Sequence, residues 1–170
     1  MKKLSDYLGK SLIIQQPSIW KRFYELRSDN EVLGEMKYPK LLSEMVECVI
    51  GDEKLTFRRP HIFSNEIEIR KQGFELPIAK MDSNFFATKG ILDLPRGKKV
   101  IMNFGLLINQ AKIFYNEKDL LVTLHNKISL KEKSNVIIEK RSEIIDDHPW
   151  IIMLAFYFAQ LKRRNSGITY

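Results

Sequence analysis

The sequence predicts a mainly β protein: an antiparallel β-barrel of about twelve strands enclosing a hydrophobic C-terminal α-helix. Three observations carry that expectation. Short segments of alternating apolar and polar residues recur along the chain, each pair separated by turn residues. The stretch "PWIIMLAFYFAQLKRR", Pro149 to Arg164, is apolar in every direction around a helix axis. With 170 residues and 44% hydrophobic composition, the chain is long enough for one substantial core.

The hairpins follow in order. Phe23 to Leu26 passes through "RSDN" into Glu31 to Tyr38, and Val46 to Ile50 passes through "GDE" into Lys54 to Arg59. In the third, Ile67 and Ile69 alternate with Glu66, Glu68 and Arg70 before Gly73 permits reversal into Phe74, Leu76 and Ile78. Period-two alternation means one buried and one wet face, and Pro77 within that return strand should mark a sheet edge or bulge. Phe86 to Leu94 turns at "PRG" into Lys99 to Phe104, and Ala111 to Tyr115 turns at "NEKD" into Leu120 to His125. The sixth pair is Lys127 to Leu130 and Val136 to Arg141. "FYEL" at 23, "EIEI" at 66 and "KIFY" at 112 each open a hairpin, which suggests a repeated β architecture. Residues 1–19 read as a lead-in and 20–170 as a single domain.

The helix is expected at about 148–164. Asp146 or Asp147 can cap it, Pro149 suits its first turn, Lys162, Arg163 and Arg164 complement its negative end, and Gly167 stands where it could stop. From Pro149 to Leu161 it would reach about 20 Å, against a hydrocarbon core of about 30 Å. Leaving its eight large apolar side chains in water would forgo about 12 to 24 kcal/mol, more than the net stability of a domain. Something must wrap it, and a sheet closed into a barrel does so while removing exposed edges.

The net charge of +7 matters only where cations gather. The densest groups are Arg58-Arg59, Arg96 with Lys98 and Lys99, and Lys162 to Arg164, and these are the candidate ligand-binding residues for an anionic surface. A solvated surface explains each group on its own, including the tip "DLPRGKK". One cysteine, Cys48, forms no internal disulfide, and Asp6, Gly9 and Lys10 interrupt any signal-like apolar run, so a cytoplasmic setting is expected.

Catalytic chemistry finds little footing. His61, His125 and His148 are far apart and show no metal-ligand spacing, and Asp146 to His148 reads as a helix cap. Cys48 in "VECVI" reads as a core residue, and Phe85-Phe86 and Phe114-Tyr115 as alternating core and rim positions. No phosphate-binding glycine loop or nucleophile elbow is present. No enzyme, cofactor, metal or nucleic-acid partner is expected.

"YELRSDNEVLG" (Tyr24 to Gly34), "LTFRR" (Leu55 to Arg59) and the terminal apolar helix with its basic end resemble the tubby-like C-terminal domain superfamily. That superfamily includes the LURP-one-related proteins and phospholipid scramblases, and the nearest resemblance is to bacterial members. It implies twelve strands followed by one helix. The phosphoinositide pocket and the calcium-binding segment found in some members match no residues here, so neither is carried over. The expectation is a non-enzymatic binding module for anionic lipid headgroups or a protein partner, cytoplasmic and peripheral at the membrane. The alternatives are a structural adaptor without lipid affinity and an enzyme with an unrecognised site.

Overall fold

The computed structural model describes residues 3–29, 31–40, 43–61, 64–84, 88–105, 109–127 and 131–165. Twelve strands form one closed antiparallel barrel: β1 (Leu12–Gln15), β2 (Phe23–Ser28), β3 (Glu31–Lys37), β4 (Val46–Ile50), β5 (Glu53–Arg58) and β6 (Glu66–Lys71) make the first half. The second half is β7 (Ala79–Ser83), β8 (Lys89–Asp93), β9 (Lys99–Phe104), β10 (Gln110–Tyr115), β11 (Asp119–Lys127) and β12 (Lys133–Ile138). Each strand pairs with its neighbours in sequence, and β1 pairs with both β2 and β12, Leu12 opposite Ser28 on one side and Val136 on the other. Two helices follow, α1 (Glu143–Asp147) and α2 (Ile151–Asn165).

The barrel lumen is filled by α2. Every residue from Trp150 to Leu161 is at most 4% exposed, so the helix is covered on all sides. Rings from separate parts of the wall meet it: Tyr24 on β2 packs against Phe156 at 5.2 Å, Phe57 on β5 against Tyr157 at 5.9 Å, and Phe104 on β9 against Phe158 at 4.7 Å. The outer wall carries charge instead, with ion pairs Arg27–Glu25 (2.8 Å), Lys37–Glu47 (3.0 Å) and Lys80–Glu66 (3.1 Å). A membrane-spanning barrel needs an apolar outer band, and these ion pairs interrupt one.

Several expectations need correction. The stretch read as a lead-in supplies β1, which closes the barrel. Its four residues "LIIQ" are too few for a clear alternation signal. The third hairpin returns at Ala79–Ser83 rather than Phe74 to Ile78, so Pro77 lies in a connection and marks no strand edge. Phe74 and Leu76 are instead 67% and 80% exposed. The strand expected at Lys127 to Leu130 merges at its start into β11, which runs to Lys127; residues 128–130, like Phe85 and Phe86, lie outside the described residues. Gly167 does too. The barrel has twelve strands, with β1 among them and the return of the third hairpin at Ala79–Ser83.

Asp146 and Asp147 do not cap α2. They end α1, whose cap is Ser142, its Oγ accepting from the Ile144 N–H. The repeat opens β2, β6 and β10, four strands apart, and so divides the barrel into thirds. Gly34 has a local reason: a Cβ there would stand 3.0 Å from Ile50 Cγ1 and 3.1 Å from the Val49 carbonyl oxygen on β4.

Candidate functional site

Strict antiparallel order gives the barrel two distinct ends. The entry end, where α2 begins, holds the turns β2–β3, β4–β5, β6–β7, β8–β9 and β10–β11; the exit end, where α2 terminates, holds the other six connections. At the entry end the 3₁₀ turn Leu4–Tyr7 folds onto α1. The Ser5 N–H donates to Asp146 Oδ1 at 2.8 Å, and the Ser142 N–H donates to Ser5 Oγ at 3.1 Å. Leu4, Tyr7, Ile144 and Ile145 are buried there, so this end is shut by packed chain.

The exit end is built from the helix terminus outward. Gln160, 4% exposed, accepts from the Tyr38 hydroxyl at 2.9 Å and donates to the Glu132 carboxylate. Tyr157 donates to the Glu44 carbonyl oxygen at 2.6 Å. Burial pushes the Tyr38 hydroxyl up to about 12, against the pull of Arg22 and Arg164, and burial likewise raises Tyr24 and Tyr157. All three therefore remain neutral donors around neutral pH. Arg22 places its guanidinium carbon 3.4 Å from the centre of the Tyr38 ring, and Arg164 stands 5.7 Å from the same ring.

Around this plug gathers positive charge. The six exit connections contain Lys21, Arg22, Lys40, Arg59 and Lys131 against only Glu44 and Glu132, and α2 adds Lys162, Arg163 and Arg164. Arg59 lies 3.9 Å from Glu44 and Arg163 4.0 Å from Glu132, so both carboxylates already face cations. Lys162 reaches the Gly105 carbonyl oxygen at 3.4 Å, and burial lowers its pKa. Lys21, Lys40, Lys131 and Arg164 are exposed. The five entry turns, by contrast, carry Asp29, Asp52, Glu75 and Glu117 against Arg96, Lys98 and Lys118.

The candidate cations are thus divided. Arg59, Lys162, Arg163 and Arg164 come together at the exit end, with Arg58 on the outer wall nearby, where Glu68 accepts from it at 3.2 Å and from Arg70 at 2.7 Å. Glu68 is held below the usual carboxylate range, since these two guanidiniums outweigh its desolvation. Arg96, Lys98 and Lys99 sit at the opposite end, Lys99 3.4 Å from Asp93. The expected set therefore does not form one surface.

A second feature of the exit end escaped the sequence reading. Each of its six connections carries adjacent or near-adjacent apolar residues in sequence: Ile19-Trp20, Leu41-Leu42, Ile62-Phe63, Phe85-Phe86, Leu106 to Ile108, and Ile128 with Leu130. Of these, Ile19 and Trp20 lie among the described residues, exposed by 46% and 89%. At the entry end the β6–β7 connection also carries apolar residues, the exposed Phe74 and Leu76, so apolar content by itself does not separate the two ends. Cys48 is buried in the wall, its thiol raised by burial, and no cluster of three metal-ligating side chains occurs among the described residues.

No protein-family model matches the chain, and no curated protein or solved structure matches it.

Proposed function

We propose that this barrel is a non-enzymatic binding module that docks its exit end on anionic lipid surfaces. The observation that carries this reading is the charge imbalance between the ends: the exit connections and helix terminus gather eight cations around two carboxylates, whereas the entry turns have more acids than bases. Each basic residue near an anionic bilayer contributes about 1 kcal/mol of attraction, and that attraction decays within a Debye length of about 8 Å at physiological salt. The entry-end cations lie a full strand length away and add little to it. Lys162, Arg163, Arg164 and Arg59 keep their place in the site, Arg58 borders it, and Arg96, Lys98 and Lys99 leave it.

Membership of the tubby-like superfamily is part of this proposal, supported by the layout of twelve strands followed by one enclosed helix. The test is co-sedimentation with neutral and anionic liposomes at low and near-physiological salt. Binding to anionic vesicles alone, weakened by salt, is expected; equal behaviour toward both vesicle types would refute the reading. A protein-adaptor role has one observation in its favour, the exposed Phe74 and Leu76 at the entry end. Its check is whether Phe74→Ala/Leu76→Ala alters capture of a partner while leaving liposome binding intact.

A further inference from the structure

Beyond the lipid contact, we infer that the chain stacks on itself head to tail along the barrel axis, the entry end of one copy seated on the exit end of the next. The four most exposed large apolar side chains among the described residues fall in two pairs at opposite ends: Ile19 and Trp20, exposed by 46% and 89%, and Phe74 and Leu76, exposed by 67% and 80%. Single apolar residues scattered over a surface need no partner. Two paired knobs, one at each end of the same axis, fit a contact that repeats along it.

Both pairs stand on loops held by their own hydrogen bonds. In the β6–β7 connection the Gln72 N–H donates to the Lys54 carbonyl oxygen at 2.8 Å, the Phe74 N–H to that of Lys71 at 3.0 Å and the Ile78 N–H to that of Ile69 at 2.8 Å. In the β1–β2 connection the Gln16 N–H donates to the Glu132 carbonyl oxygen at 3.0 Å, and Gln16 Nε2 donates to the Lys21 carbonyl oxygen at 2.9 Å. Side chains presented by an ordered loop lose less freedom when a partner covers them.

Charge selects the occupant and its orientation. At the exit end Lys21, Lys40 and Arg164 are exposed around Ile19 and Trp20. At the entry end an exposed Glu75 separates Phe74 from Leu76, and an exposed Asp52 occupies the neighbouring β4–β5 turn. The lid and its flanking segments, residues 3–11 and 139–147, add five carboxylates and four cations to that end, so acids keep their excess there. Exit against exit would press cations on cations, and like charges across an interface are costly. Entry against exit pairs unlike charges and lets Phe74 and Leu76 pack beside an aromatic anchor with a cationic rim. A second copy of this chain is the partner that carries both halves. Such a contact leaves one end of each kind unused, so copies stacked along an axis grow as open chains and not as closed dimers.

Sedimentation velocity of the full chain without lipid, from micromolar to near-millimolar concentration, tests this. The weight-average sedimentation coefficient should climb with concentration and not level off at a dimer. Trp20→Ala and, separately, Phe74→Ala/Leu76→Ala should each weaken association at least tenfold. Their melting temperatures should match the parent's, because all three side chains are exposed. Mixed in equal amounts, the two variants should form a dimer that grows no further, since each supplies the end the other lacks. Glu75→Lys, which leaves both apolar side chains in place, should also weaken association. A parent chain that stays monomeric throughout overturns the inference. So does a Trp20→Ala chain that associates like the parent, the mark of a symmetric contact through Phe74 and Leu76, and so does a mixture that stays monomeric. Chains that stack but ignore anionic vesicles remove only the lipid reading; chains that bind vesicles but stay monomeric without them remove only this one.

Discussion

The two ends of this barrel obey the same hairpin rule and are finished differently. At the entry end, connections of two to seven residues and a packed lid of the Leu4–Tyr7 turn on α1 satisfy backbone groups within the protein. At the exit end, connections of five to eight residues surround a helix terminus whose last turn carries Lys162, Arg163 and Arg164. Both ends hold intramolecular hydrogen bonds, and the exit end adds an excess of positive charge. Folding needs the first; the second is surplus to folding, which is why function is sought there.

The largest effect removes what both ends share. A chain ending at Asp147 lacks α2 and leaves the inward faces of all twelve strands without their filling. It should be insoluble or show no cooperative melt, and a sharp calorimetric transition from that chain would break the account of the core. Next is a double comparison between ends. Lys21→Gln/Lys40→Gln/Arg164→Gln removes three exposed cations worth about 1 kcal/mol each at an anionic surface, so liposome affinity should fall roughly 100-fold. Arg96→Gln/Lys98→Gln/Lys99→Gln at the entry end should change it by less than about twofold, because those charges lie beyond the screening length. If both triples weaken binding equally, charge location has no role and only net charge matters.

The legible part of the fold was the part encoded locally. Alternation at Ile67 and Ile69, turn residues such as Gly51 and Gly97, and the all-round apolar character of 150–159 are each readable within a short window. What failed depends on distant partners. β1 is a four-residue strand defined by Ser28 and Val136, far along the chain, and nothing within "LIIQ" announces closure. Phe74 and Leu76 alternate like a strand, yet the pairing partner of β6 is Ala79–Ser83, with Ile69 opposite Ala79. The site was half legible for the same reason. Basic runs are visible one by one, but which end of a barrel each occupies follows only from the strand order along the whole chain.

The entry end offers smaller and purely structural effects, which sharpen the contrast. Asp146→Ala removes the acceptor for the Ser5 N–H and unlatches the N-terminal turn from α1. A charge-assisted hydrogen bond of this kind contributes about 1.5 to 3 kcal/mol, reduced here by partial exposure to about 1 kcal/mol. Chemical denaturation should show that loss, with liposome binding unchanged.

The smallest effect is a pH dependence at the same end. His148 lies between α1 and α2, its ring 5.6 Å from Trp150, with Asp147 and Lys98 the charges that act on it. Burial lowers its pKa, Asp147 opposes that, and Lys98 adds to it. The folded state therefore prefers the neutral ring more than the unfolded chain does. Its contribution to stability is fully present above the ordinary histidine value, about 6.5, and is lost as pH falls from there through the lower folded value. Glu68 acts separately: its depressed pKa places its loss below the ordinary carboxylate range, so the two windows do not coincide. Melting temperature should decline modestly on going from neutral to mildly acidic pH, and His148→Gln should flatten that decline without altering the steeper loss in strong acid. An unchanged slope in the variant would move the titration elsewhere. The same variant should bind anionic liposomes like the parent at neutral pH, because the residue belongs to the end that closes the barrel and not to the end proposed to meet the lipid.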